Sequence, residues 1–255
     1  MFKILRARLH QGHRTVGFPD TPPTLPDRLR GRPTVDRARC TADCRACVEV
    51  CPVEAIELSE AALRIDLGRC LFCPECVRAC PTGAIQFTGE YRMATRFRGD
   101  LIVQESEYKL AEALRGKMRR MFGRSLKLRQ VSAGGCNACE ADINVLSTVV
   151  FDLGRFGIQV VASPRHADGL LITGPVPENM RQALLKTYEA VPPPRLVIAV
   201  GSCAISGGPF RDHPEVHNGA TDLLPVDLFI PGCPPHPITI LDGFLRLLGR
   251  IEEKR

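Results

Sequence analysis

Twelve cysteines carry the chemistry this sequence offers, and their spacing sorts them into three groups of four. The first is Cys40, Cys44, Cys47 and Cys51; the second is Cys70, Cys73, Cys76 and Cys80; the third is dispersed, Cys136, Cys139, Cys203 and Cys233. Thiolates are soft metal ligands, and a reducing compartment keeps thiols from pairing with one another. The start, MFKILRARLHQGHR, has basic residues but no apolar core followed by a small-residue cleavage site, so the chain is expected to stay uncleaved and cytoplasmic. Arg119 and Arg120 form a twin-arginine pair too deep in the chain to act as an export address. Twelve thiols in that setting point to metal rather than to disulfides.

The second group reads C-x2-C-x2-C-x3-C-P, a run whose first three cysteines hold one four-iron cluster while the fourth ligates its neighbour. Residues 36 to 88 contain this unit twice: CRACVEVCPVEAI aligns with CPECVRACPTGAI, pairing Cys44 with Cys73, Cys47 with Cys76, Cys51 with Cys80 and Ile56 with Ile85. One cluster is therefore expected on Cys40, Cys44, Cys47 and Cys80, and another on Cys70, Cys73, Cys76 and Cys51. The first group departs from the pattern, with three residues instead of two between Cys40 and Cys44. Zinc is the competing metal, but its sites use short C-x2-C hooks rather than four cysteines ending in proline.

The third group needs a sheet to assemble it. Residues 126 to 250 alternate apolar strands (LKLRQVS, IQVVAS, GLLITG, RLVIAVGS, VDLFIPG) with helical stretches over ADINVLSTVVFDLGRFG, PENMRQALLKTYEAV and a final segment carrying Ile238, Leu241, Leu245 and Leu248 on one face. Continuous apolar strands alternating with amphipathic helices predict a doubly wound parallel α/β domain. Cys136 and Cys139 leave the first strand, Cys203 leaves RLVIAVGS and Cys233 leaves VDLFIPG, so all four thiols meet at the carboxyl edge, where open α/β sheets bind ligands. Gly134, Gly135, Gly207 and Gly208 are expected to let the backbone approach a third cluster. The alternative is a redox-active Cys-x-x-Cys pair beside two unrelated buried cysteines.

The remaining stretches position these groups. Residues 1 to 35 read as an arm, with Phe2, Leu5 and Leu9 at helical spacing among Lys3, Arg6 and Arg8 ahead of the proline-rich FPDTPPTLPDRLRGRP. A membrane, a partner or the chain's own body could receive it. Residues 89 to 125 read as a helical connector, ESEYKLAEALRGKMRRMF, packed through Leu110, Leu114, Met118 and Met121. No apolar run reaches membrane-spanning length. The 255 residues carry a formal charge of +6, which three oxidised four-iron clusters with their thiolates, at about −2 each, would cancel, so the basic balance is no argument for nucleic acid.

A family resemblance rests on these residues. SAGGCNACEADI, SPRHADGLLITGPV, GSCAISGGPF and PGCPPHP together resemble the small subunit of energy-converting NiFe hydrogenases of the formate hydrogenlyase type, which is similar in turn to the cluster-bearing subunit beside the quinone site of respiratory complex I. MFKILRARLHQG, LRGRP and the eight-cysteine repeat resemble the two-cluster ferredoxin-like subunit of the same complexes. The resemblance implies two neighbouring electron-transfer subunits fused into one, a ferredoxin-like domain followed by a flavodoxin-like one. It implies three 4Fe-4S clusters, the third facing a NiFe centre on a separate large subunit. Membrane subunits of the complex and a donor such as a formate dehydrogenase or a ferredoxin are the implied further partners, with the chain peripheral on the inner face of the membrane. Complex I proteins place adjacent cysteines where this chain has Cys136-Asn-Ala-Cys139, so the spaced form resembles the hydrogenase side; the electron-transfer arm of a quinone oxidoreductase is the rival.

No nucleophile or acid–base constellation appears, so an oxidoreductase subunit without catalytic residues of its own is expected. Glu140 reads as an acid answering a helix dipole, with proton transfer as the sharper alternative. Arg165 and His166 read as loop residues, with facing a partner or tuning the third cluster by hydrogen bonding as the alternatives, and His213, His217 and His236 as surface residues.

Overall fold

The computed structural model describes residues 2–12, 14–41, 44–59, 62–104 and 108–251. The chain opens with helix α1 (Phe2–Gln11), none of whose residues is buried. The rest of the arm is a strap. The Val16 amide donates to the Val150 carbonyl at 2.9 Å, and Arg155 donates to the carbonyls of Val16 and Phe18 at 2.8 and 2.7 Å. Phe18 is buried edge-on to Tyr91, ring centroids 6.0 Å apart. Farther along, the amides of Gly31 and Arg32 donate to the carbonyls of Thr88 and Glu90.

The cysteine-rich half contains β1 (Pro33–Val35), α2 (Ala46–Glu49), β2 (Ile56–Leu58), β3 (Leu63–Asp66), α3 (Glu75–Ala79), β4 (Ile85–Phe87) and β5 (Ile102–Val103). β1 pairs antiparallel with β4, and β2, β3 and β5 form a three-stranded antiparallel sheet. The repeat is visible in three dimensions: each cysteine run leads through a short helix, α2 or α3, into a strand that starts at the matching isoleucine, Ile56 or Ile85.

After α4 (Gly116–Phe122) comes the α/β half: β6 (Leu126–Ser132), α5 (Ala138–Val145), β7 (Ile158–Val160), β8 (Gly169–Thr173), α6 (Glu178–Ala190), β9 (Leu196–Val200), α7 (Ser202–Ser206), β10 (Leu228–Ile230) and α8 (Pro237–Leu247). All five strands are parallel, in the order β10-β9-β8-β6-β7. β8 and β9 are buried along their whole length, as their unbroken apolar runs require of strands covered on both faces. The order reverses between β6 and β8, the switch point at which such sheets open a crevice.

Three expectations need correction. The helix expected across 141–157 ends at Val145; Ser147, Thr148, Val149 and Val150 are poor helix formers, the Thr148 hydroxyl donates to the Val145 carbonyl at 2.7 Å, and the Val150 carbonyl serves the strap. Between 89 and 125 only α4 is α-helical; 105–107 lie outside the described residues. The residues after them run extended because the amides of Ala111 and Leu114 bond the carbonyls of Ala94 and Leu247, and Met121 is exposed. Finally, α8 is buried on every side rather than along one stripe. The extended connector covers its outer face, with Ala94 against Gly243, and its charged pair, Asp242 and Arg246, is closed on itself at 2.7 Å.

The two halves share one junction. Thr95 and Phe229 exchange amide–carbonyl bonds of 3.0 and 2.9 Å, which covers the open edge of β10. Phe229, Ala199, Ala204 and Ile205 pack in one core with Ile56, Leu63, Leu67 and Leu101. Arg98 forks onto Asp66 with bonds of 2.8 and 2.6 Å beside that core.

Candidate functional site

All twelve cysteines are free thiols. The fold gathers them in three sets. Burial raises Cys47, and the charges of Cys40, Cys80 and Cys44 push it the same way, so Cys80 of the second repeat stands with three cysteines of the first. Cys70 is pushed up to about 12, first by burial, with a partly offsetting bond from the Phe72 amide and further upward pushes from Cys76, Cys51 and Cys73. Cys51 of the first repeat has thus crossed to the second. Cys139 lies well above the ordinary thiol range through burial, with Cys203, Glu140, Cys233 and Cys136 adding to it.

The sets also lie in series, near enough for cysteines of neighbouring sets to act on one another electrostatically. Cys76 feels Cys47, and Cys233 feels Cys73. The set around Cys70 therefore lies between the other two. At the far end Cys136 and Cys233 are exposed, whereas Cys47, Cys70 and Cys76 are buried.

Cys47, Cys70, Cys76, Cys139 and Cys203, raised by burial, resist ionisation unless a cation compensates them. Among the described residues no three His, Cys, Asp or Glu side chains converge as ligands of a single ion would. The thiols of each set are near enough to act on one another's ionisation. Sulfur acceptors are already provided for: the amides of Ala55, Phe72 and Ala84 donate to the Sγ atoms of Cys51, Cys70 and Cys80 at 3.2, 3.3 and 3.2 Å. Burial raises Cys80, but hydrogen bonds from the Thr82 hydroxyl and the amides of Ala84, Thr82 and Ile85 outweigh it and leave the thiol below its ordinary value.

At the carboxyl edge, Cys136 and Cys139 follow β6, Cys203 lies in α7 just after β9, and Cys233 follows β10. Two glycines hold room for these sulfurs. A Cβ on Gly201, at φ +87°, would stand 2.5 Å from the Cys139 Sγ, and one on Gly208 would stand 2.7 Å from the Cys203 Sγ. A cradle emptied of side chains around mutually repelling thiols suits a cluster. Of the glycines singled out by sequence, only Gly208 has this part: Gly134 would meet Pro177, Gly135 the backbone of Gly174 and Gly207 the backbone of Asn218. Gly201 was not singled out, although it directly precedes Ser202 and Cys203 at the end of an apolar strand.

Glu140 is buried and accepts hydrogen bonds from the hydroxyls of Ser132 and Thr173 at 2.7 and 2.6 Å, which ties α5 to β6 and β8. Arg165 and His166 are exposed on a 3-10 turn. The His213 ring accepts the Glu215 amide, and the His217 ring bonds Glu178. His236 departs from the surface reading. It is half-buried, its Nδ1 accepts the Ile238 amide at 3.2 Å as the N-cap of α8, and burial lowers its pKa. With Arg28, Arg30, Phe72 and Asp142 it lines a cavity of about 260 Å³ beside Cys233.

Comparison with known proteins finds two matched regions in the chain. Residues 136–247 match the family described as NADH ubiquinone oxidoreductase, 20 Kd subunit, and residues 28–84 match the 4Fe-4S dicluster domain. Formate hydrogenlyase subunit 7 of Escherichia coli is 43% identical over 142 residues, 56% of this chain and 56% of that protein, so the match spans little more than half of that relative. Probable membrane-bound hydrogenase subunit mbhJ of Pyrococcus furiosus is 38% identical over 59% of this chain and 90% of its own length. An NADH-quinone oxidoreductase subunit of Carboxydothermus hydrogenoformans is 43% identical over 48% of this chain and 74% of its own.

Proposed function

Because the chain belongs to the family of the NADH ubiquinone oxidoreductase 20 Kd subunit, preceded here by a 4Fe-4S dicluster domain, we propose that it is the electron-transfer subunit of a membrane-associated NiFe hydrogenase complex. It passes electrons to or from a separate large subunit. The ligand sets are Cys40, Cys44, Cys47 and Cys80; Cys51, Cys70, Cys73 and Cys76; and Cys136, Cys139, Cys203 and Cys233. Bound there, 4Fe-4S clusters would supply one-electron redox chemistry near neutral pH. The observation that carries the reading is the serial order of the sets: Cys47 stands near Cys76 and Cys73 near Cys233, and the last set is open to the surface through Cys136 and Cys233.

The protein's own residues do three things for such a relay. Burial of Cys70 and Cys76 keeps water from the middle of the route, and burial of Cys47 extends that shelter into the first set. Amides aimed at Cys51, Cys70 and Cys80 stabilise negative charge on sulfur, one of the levers that set a potential. The junction fixes the distance between the halves, since Thr95 and Phe229 bond across it and Arg98 holds Asp66 in place beside the shared core.

Cys136-Asn-Ala-Cys139 favours the hydrogenase reading over a quinone oxidoreductase arm, as does the formate hydrogenlyase relative. The quinone reading keeps one supporting observation, the similarity to the NADH-quinone oxidoreductase relative. Anaerobic purification of the native complex followed by metal analysis decides between them. The proposal expects about twelve irons per chain and nickel in the co-purifying large subunit. Iron without nickel would turn the reading to the quinone arm, and a colourless zinc protein would end both.

A further inference from the structure

Ser202 has no place in any ligand set, yet it touches two of them. It sits at the first position of α7, one residue before Cys203, and is 1% exposed. Its hydroxyl lies 2.6 Å from the carbonyl oxygen of Cys70 and donates to it. Its amide donates to the Gly232 carbonyl at 2.9 Å, next to Cys233, and the hydroxyl is 3.2 Å from the same oxygen. One small buried side chain therefore joins the backbone of a ligand from the middle set to the backbones that carry two ligands of the exposed set.

We propose that Ser202 is the positioning residue for the electron step between the middle and the exposed cysteine sets, and that its hydroxyl is the bonded bridge the electron uses. This deepens the proposed function and rests on it. With clusters bound as proposed, the step would carry one electron from a reduced cluster on Cys51, Cys70, Cys73 and Cys76 to an oxidised one on Cys136, Cys139, Cys203 and Cys233; no bond would break and no proton would move. Electronic coupling falls far more steeply across a gap than along bonds. The route from the Cys70 sulfur along its backbone to the carbonyl, across the Ser202 hydroxyl and on to Cys203 is covalent except for one short hydrogen bond. Its competitor is a direct jump between Cys73 and Cys233, whose sulfurs are near enough to sense each other.

Ser206 provides the internal comparison. It is equally part of the junction, its hydroxyl donating to the Gly68 carbonyl at 2.8 Å and lying 3.2 Å from the Ser202 carbonyl, but none of these bonds reaches a ligand residue or the Ser202 hydroxyl. Removing it loosens the same seam without cutting the bridge. The Ser202 bond goes to a carbonyl and not to a sulfur, so its loss should leave cluster potentials where they are.

The test uses the full chain loaded anaerobically, reduced by a pulse of less than one electron per molecule, with freeze-quench EPR reading which cluster holds the electron. Redox titration supplies both potentials in parallel. Ser202→Ala is expected to slow redistribution between the two clusters several-fold at unchanged potentials and full iron content, with Ser202→Thr returning the rate and Ser206→Ala leaving it near wild type. The proposal is overturned if Ser202→Ala redistributes at the wild-type rate, which assigns the step to the Cys73–Cys233 jump. It is also overturned if Ser206→Ala slows it equally, if the potentials move with the rate, or if Ser202→Ala loses iron. Wild-type protein that takes up no clusters would instead sink the functional reading beneath it.

Discussion

A thiol that is hard to ionise becomes a metal ligand only where the positive charge of the metal compensates its thiolate and those of its neighbours. Cys70 and Cys76, pushed up to about 12 and about 11 mainly by burial, are such thiols, and the positive core of the proposed cluster would make their thiolates affordable. The crossing of Cys80 into the first set follows from the way the repeats face each other, and it makes a sharp prediction. Cys80→Ser should disturb the EPR signal of the cluster on Cys40, Cys44 and Cys47 and leave that on Cys70, Cys73 and Cys76 intact; the reverse pattern would refute the assignment. At the sheet edge, Gly201→Ala would place a methyl carbon 2.5 Å from the Cys139 sulfur. The variant should retain about eight of twelve irons by metal analysis, the third cluster alone being lost. The eight cysteines of the repeat stood out in the sequence because spacing in a short loop is a one-dimensional property, whereas Cys136, Cys139, Cys203 and Cys233 could be grouped only through the strands they follow. Gly201 and Ser202 were not legible, since what they touch, Cys139 and Cys70, comes from distant parts of the chain.

At the scale of elements, the strands of the parallel sheet were readable from apolar runs such as LLIT and VIAV, whereas helix ends and the connector were decided by tertiary bonds. α8 shows both. Its apolar content predicted burial, but its cap is a histidine in a proline-rich loop, which carries no common N-cap signature. His236 can accept the Ile238 amide only while Nδ1 is unprotonated. Burial lowers its pKa in the fold, and the unfolded residue titrates near the ordinary value of about 6.5. The unfolded chain therefore binds the proton first. Stability is whole above that value and is lost as pH falls through it toward the depressed folded value. His236→Ser keeps a capping oxygen and removes the titration. Denaturant midpoints measured at pH 7.5 and 5.5 should fall less for this variant than for wild type, the cap itself contributing about 1 kcal/mol. Equal falls would exclude His236 as the source.

Over the whole molecule, the halves are held together by more than the segment that joins them in sequence. The strap passes from Val150 to Thr88 and Glu90, with Phe18 as its buried anchor. Phe18→Ala should cost about 3 kcal/mol, read as an earlier midpoint of iron release in guanidinium, while Phe2→Ala on exposed α1 should leave that midpoint unmoved. Composition and proline content described this arm but could not say where it docks, because its partners are carbonyls and amides that any sequence possesses. The exchange of cysteines between repeats has a further bearing on how the molecule comes into being. While a ribosome has delivered only the first repeat, iron arriving there would meet three proper donors and the wrong fourth, for Cys80 has yet to emerge. With the proposed ligand sets, neither nest could be completed before both repeats leave the exit tunnel, so the order of synthesis opens an interval for a mis-wired intermediate that cluster loading after release would avoid.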